Sequence, residues 1–394
     1  MERTATRMTS IVALMAVFSL GIAFVIVGAI SEELKGGLGV TNAEIGSLVL
    51  ALFLTSMIVQ LFIGPLVDKF GHKPLAIAGF LVLSLSMFLI ARATDAQTAL
   101  VACILLGVGA MCVNTVGNTL IPAVLFSGKD PARASNFGNA FFGLGLVVTP
   151  LVFSLVAASD YRTGVYLLGA LFLVFLLAAL GTTFPRVSTG YQFSMAFKLL
   201  GNRAVLVAAL ALFCYISLEA SMNTWSKPYM TELLGGGSEA AARAGFVLSL
   251  FGVAMMVGRF ATSMIKNLTA IGVKLIGVAS LLAAGAILLM VNTHAPAVAV
   301  AAVMLTGLVF APIFPTIVGV TFAKFEPSLY GSIFGIIFPV GLLGATFVPK
   351  IVGNLSVGAT VQQGLLIVLA MAVALFVISL FLKAGAPKGT PART

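Results

Sequence analysis

Apolar residues in this chain come in runs of about twenty, and each run ends at a short polar break. A hydrocarbon core about 30 Å thick is crossed by roughly 20 helical residues, so each run is long enough to span a bilayer. The pattern predicts twelve spans, at 9–31, 42–66, 74–93, 97–126, 134–158, 161–183, 204–231, 241–265, 270–292, 296–322, 329–354 and 361–383. The longest polar break, 184–203, carries Arg186, Lys198 and Arg203 and separates six spans from six. The expected fold is an all-α polytopic membrane protein with twelve transmembrane helices in two pseudo-symmetric six-helix bundles. Its divisions are an N-terminal bundle 1–183, a cytoplasmic linker 184–203 and a C-terminal bundle 204–394.

Composition agrees with this picture. The 394 residues are 60% hydrophobic and 9% charged, against about 25% charged in a soluble domain. The formal charge of +10 is scattered between apolar runs rather than clustered, which argues against nucleic acid. With both termini inside, sixteen of the 22 basic residues fall on the inner side and six on the outer. That asymmetry predicts cytoplasmic termini in a multi-pass protein of the cytoplasmic (inner) membrane. No cleavable leader is expected, because the first apolar run is long and has no small-residue cleavage site after it. Cys103, Cys112 and Cys214 sit inside apolar runs without metal-ligand spacing, so no metal or cofactor is expected. His72 and His294 read as loop residues with no metal partner nearby. The phosphate-binding pattern Gly-x-x-x-x-Gly-Lys-(Ser/Thr) is absent, so nucleotide hydrolysis is not the expected energy source.

Polar groups in mid-span are costly in lipid and mark candidate sites. Of the twelve acids, Glu219 alone falls deep in a span. Tyr215, Glu219 and Asn223 recur at i, i+4 and i+8 and share one helical stripe. Asn114 and Asn118 share a face of span 4, Asn136 and Asn139 share a face of span 5, and Gln60 lies deep in span 2. These amides, with the indole of Trp225, offer donors and acceptors without net charge. Arg259 and Lys227 fall near span ends, so the set suits a neutral, hydroxyl-rich solute. Pro312 and Pro315 predict a bend in span 10. The stripe Tyr330, Phe334 and Phe338 on span 11 has two readings, a wall for stacking a sugar and helix packing, of which packing is the first choice.

Between spans 2 and 3 stands Gly64-Pro-Leu-Val-Asp-Lys-Phe-Gly-His-Lys-Pro74. Its order Gly-x-x-x-Asp-(Lys/Arg)-x-Gly-x-(Lys/Arg) resembles the signature loop of the major facilitator superfamily. The resemblance implies two parallel six-span repeats with a solute held between them. It also implies a cytoplasmic gate built on Gly64, Asp68, Lys69, Gly71 and Lys73. Arg259 joins that gate because Gly258-Arg-Phe echoes Gly64-Pro-Leu, as Phe334-Gly335 echoes Phe137-Gly138.

Further stretches are similar to the branch of fucose/proton symporters and glucose/galactose transporters. They are Asn114-Thr-Val-Gly-Asn118, Asn139-Ala-Phe-Phe-Gly-Leu-Gly145 with Pro150, Phe213-Cys-Tyr215-Ile-Ser-Leu-Glu219 with Trp225, and Phe314-Pro-Thr-Ile317. Proton-coupled members of that branch carry acids where this chain has Gly28 and Asn114. The expected function is a secondary transporter, working as a monomer by alternating access on a monosaccharide or similar polyol. Glu219 is the expected coupling residue, with a proton or sodium as the ion. The competing readings are an exporter or exchanger of amphipathic or organic-anion compounds, and a solute sensor without transport.

Overall fold

A computed structural model describes residues 2–125, 131–155, 160–186, 198–265, 268–325 and 329–382. Within them, twelve helical stretches are long and apolar enough to cross a membrane. The first half contains α1 (Glu2–Ala29), α2 (Ser31–Leu38), α3 (Asn42–Phe70), α4 (His72–Arg92), α5 (Ala96–Val124), α6 (Pro131–Leu155) and α7 (Tyr161–Leu180). The second contains α8 (Arg203–Leu233), α9 (Gly237–Ser263), α10 (Leu268–Asn292), α11 (Pro296–Phe310), α12 (Ile313–Phe322), α13 (Tyr330–Leu355) and α14 (Val361–Ser379). Most of the expected linker, 187–197, lies outside the described residues.

Local chemistry sets the helix ends. Thr41 and Glu44 form a capping box at the start of α3: Glu44 N–H donates to Thr41 Oγ1 at 3.3 Å, and Thr41 N–H donates to Glu44 Oε2 at 2.7 Å. Thr360 and Gln363 do the same for α14. Asp95 caps α5 by accepting from Thr98 N–H at 2.8 Å, and that bond holds its carboxyl below its ordinary range. Inside the spans, hydroxyls such as Ser19, Thr149, Ser217 and Thr224 donate to the carbonyl one turn back. No buried hydroxyl is then left unpaired at those points.

Two features differ from the sequence pattern. The signature loop is hardly a loop, because α3 runs on to Phe70 and α4 starts at His72. Gly71 alone makes the turn, at φ +81°, which an L side chain rarely adopts. The stretch 67–73 reads as a polar break, yet it is accommodated at helix ends, with Lys69 in the last turn of α3, where a cation suits the dipole. Second, the short helix α2 occupies what reads as an outer loop. The bend expected in span 10 is present as a break into two helices between Phe310 and Ile313, around Pro312.

In the first half α1 packs on α5 and α6, α3 on α5, and α4 on α5 and α7. In the second, α8 packs on α13 and α14, α9 on α11, and α10 on α11, α12 and α14. The halves meet where α1 crosses α8, α3 lies along α13 and α6 lies along α9. At the first crossing, a Cβ on Gly28 would collide with the Asn223 carbonyl, so only glycine allows the approach.

Candidate functional site: a cavity between the halves

A cavity of about 580 Å³ lies between the halves. Its lining runs from Glu219 and Asn223 in mid-span to Gly64, Thr119, Phe322 and Tyr330, toward the end that carries the Gly71 turn. At the opposite end the halves touch directly. There Lys227 of α8 meets Glu33 of α2, and Lys350 of α13 meets Ala43 and Ser47 of α3.

The first-half wall carries a chain of amides. Asn118 Nδ2 donates to Asn114 Oδ1 at 2.7 Å, and Asn114 Nδ2 donates to Gln60 Oε1 at 3.3 Å. Gln60, Asn114, Asn118 and Asn139 all line the cavity. Below them, Thr119 donates to the Thr115 carbonyl, so the contact of 2.8 Å to His72 Nε2 has the ring donating. His72 is therefore no loop residue: it is the buried first residue of α4, tied to a side chain of the cavity wall.

The second-half wall is aromatic. Phe334 and Phe338 stack with centroids 5.0 Å apart, and Phe322 and Tyr330 stack at 4.3 Å. The stripe expected to serve helix packing thus faces the cavity as well.

Between the two walls sits an ion pair that the sequence did not announce. Arg259 Nη2 lies 3.1 Å from Glu219 Oε1, with the two side chains 4% and 12% exposed. Its Nη1 also donates to the Asn139 carbonyl across the interface at 3.4 Å, and the guanidinium stands 4.9 Å over the Phe142 ring. Arg259 starts one turn from the end of α9, which is why it read as a span-end gate residue. A long side chain can carry its charge several ångströms from its Cα. The premise of a site without an interior cation fails, although the pair itself has no net charge. The only signal available beforehand was an arginine inside the unbroken apolar run 241–265.

Two predicted contacts are absent. Trp225 is fully buried, does not line the cavity, and donates its indole N–H to the Pro349 carbonyl at 3.0 Å within its own half. Tyr215 is buried against Phe310 and Phe314, behind the wall rather than on it. Asn223 does line the cavity, and its Oδ1 has no hydrogen-bond partner. The side chain of Asn136 lies outside the described residues. Of the signature residues, Lys73 Nζ donates to the Leu180 carbonyl at the end of α7. Lys69 stands over the Phe70 ring at 5.1 Å. Asp68 is exposed in the last turn of α3.

Two six-helix halves around a largely apolar cavity set with a few polar side chains, and bonded to each other at one end, are the architecture of a membrane transporter for small molecules rather than of an enzyme. Residues 10–349 match the Major Facilitator Superfamily, and the chain belongs to that family.

One similar protein is the quinolone resistance protein NorA of Staphylococcus aureus (strain MRSA252). It is 31% identical over 160 residues, which is 39% of this chain and 40% of that protein. The match thus spans about two-fifths of the length of this curated relative. An uncharacterized MFS-type transporter of Yersinia pestis is 23% identical over 233 residues, 59% of each chain. Among solved structures, the nucleoside transporter NupG superposes with a TM-score of 0.74 at 16% identity, over 96% of this chain and 99% of that one. A bacterial homolog of the human lysosomal transporter Spinster, inward-facing and occupied, gives 0.75 at 14% identity, over 97% and 98%. At those identities the likeness concerns the fold.

Proposed function

We propose that the protein is a secondary transporter working by alternating access on a small amphipathic solute, coupled to a proton or sodium through Glu219. The observation that carries this reading is the difference between the two cavity walls. The amide chain Gln60–Asn114–Asn118 offers hydrogen bonds along one side, and the stacked rings of Phe334 and Phe338 offer an apolar face on the other. A solute with a polar edge and a flat apolar face satisfies both at once. The partial likeness to NorA supports the same class. The basic-residue asymmetry supports cytoplasmic termini in an inner membrane, with the open end of the cavity facing the cytoplasm.

A monosaccharide is the second reading, favoured by the amide chain and by the motifs similar to the sugar-transporting branch. A sugar also has one apolar face that rings can cover. The two readings separate by ligand-induced thermal stabilisation of the purified protein, because a ligand of the native state raises stability by mass action. Quinolones should raise the melting temperature, while glucose, galactose and fucose leave it unchanged. The reverse result would replace the amphipathic reading with the sugar one. Coupling is tested in proteoliposomes, where uptake of the stabilising compound should respond to an imposed proton or sodium gradient.

A further inference from the structure

We propose that Lys227 and Lys350 are positioning residues that hold the end of the cavity opposite the Gly71 turn shut, and so set the balance between the two open states. Both cations belong to the second half and both reach acceptors in the first. Lys227 Nζ donates to the Ala29 carbonyl at 2.6 Å and to both Glu33 carboxylate oxygens at 2.6 Å, with its side chain 2% exposed. Ala29 is the last residue of α1. Its carbonyl is among those a helix leaves without an intrahelical donor, at the negative end of the dipole, where an ammonium group fits. Lys350 Nζ donates to the Ala43 carbonyl and to Ser47 Oγ, each at 2.7 Å, in the first turns of α3. A neutral bond, Ser154 Oγ to the Ala242 carbonyl at 3.2 Å, joins α6 and α9.

The placement of Lys227 ties this closure to the cavity. It lies one turn beyond Asn223 on α8, and the Asn223 carbonyl is the atom that packs against Gly28 of α1. From Asn223 to Lys227, α8 is therefore fastened to the last turn of α1, first by backbone contact and then by charge. To open this end, Lys227 must leave both Ala29 and Glu33. A lysine this buried needs its charge compensated, and Glu33, with Glu32 nearby, supplies that only while the halves meet, so its contacts favour the closed arrangement until water enters. The side chain of Asn223 faces the cavity immediately inside that seal.

The test needs no solute, so it stands or falls separately from the proposed substrate. Spin labels are placed at Gln97→Cys and Ser238→Cys, exposed sites on opposite halves at the closed end. Cys103, Cys112 and Cys214, all buried, are replaced by alanine. Pulsed dipolar spectroscopy in nanodiscs then reads the distance between halves. Lys227→Met should raise the ratio of long-distance to short-distance populations by about tenfold or more. Glu33→Gln should raise it less, because the Ala29 bond survives, and should add nothing in the Lys227→Met background. Lys350→Met should add its own shift to that of Lys227→Met.

An unchanged distribution in folded Lys227→Met overturns the proposal. Should Lys227→Met fail to fold, Glu33→Gln and Lys350→Met carry the test, since both side chains are partly exposed. Wild-type distances in both would overturn it equally.

Discussion

The two ends of the central cavity are built from different materials. At the closed end, lysines of one half reach backbone carbonyls and a carboxylate of the other, at 2.6–2.7 Å. Toward the open end, amides bond along one wall and rings stack along the other, each mostly within its own half. Charge reaching backbone is strong and geometrically demanding, so it suits a seal that must be either made or broken. Amides and rings tolerate many poses, which suits a surface that meets a solute. The Arg259–Glu219 pair lies between the two, with bonds to both halves.

The largest effects are expected at that pair. Arg259→Leu would leave the Glu219 carboxylate buried without a cation, and breaking a buried pair from one side costs about 3–5 kcal/mol. Thermal unfolding should show that loss, and transport should cease. The double variant Arg259→Leu/Glu219→Leu should recover most of the stability and none of the coupled transport. Recovery of concentrative uptake by the double variant would show that the pair is structural only.

Glu219→Gln is milder for the fold and more informative about coupling. It should abolish uptake against a gradient while preserving exchange of labelled for unlabelled solute in proteoliposomes. Wild-type accumulation under an imposed proton or sodium gradient would remove Glu219 from the coupling role.

Asn114 stands on the cavity wall, whereas Trp225 does not line the cavity. Asn114→Ala removes the middle of the amide chain, and an unpaired polar group in a desolvated site costs about 1–3 kcal/mol. Solute affinity should fall roughly ten- to hundred-fold by that arithmetic. Trp225→Phe should leave affinity within about twofold and lower stability by about 1 kcal/mol for the lost bond to Pro349. Equal affinity losses for the two would mean that the indole reaches the solute after all.

Smaller effects belong to the Gly71 turn. Asp68→Asn should slow the transport cycle with little change in binding, as measured by turnover against equilibrium affinity. Lys73→Ala loses one exposed bond to the end of α7, worth under about 1 kcal/mol. Its transport rate should stay within about twofold of wild type.

The spans were legible because lipid imposes a length and a composition on any helix that crosses it. The bend at Pro312 was legible for a similar reason, since proline removes a donor wherever it stands. Side-chain reach was not legible. Arg259 and Lys227 both read as span-end cations, yet one reaches the cavity and the other closes an interface, because a helical register fixes Cα positions and leaves the long side chain free. Trp225 failed for the opposite reason: its indole had a backbone acceptor close by in its own half, which no pattern of side-chain types reveals. His72 looked like a loop residue only because the turn beside it needs a single glycine.

Gly28 limits how this molecule can change as well as how it packs. Any side chain there would strike the Asn223 carbonyl, so a mutation that adds even a methyl group must force α1 and α8 apart. The contacts of Lys227 with Ala29 and Glu33, one turn beyond, would be strained by the same displacement. Such a glycine is a fixed point in sequence change: the amides and rings of the cavity walls can vary around it, while position 28 admits no side chain until the two helices have separated.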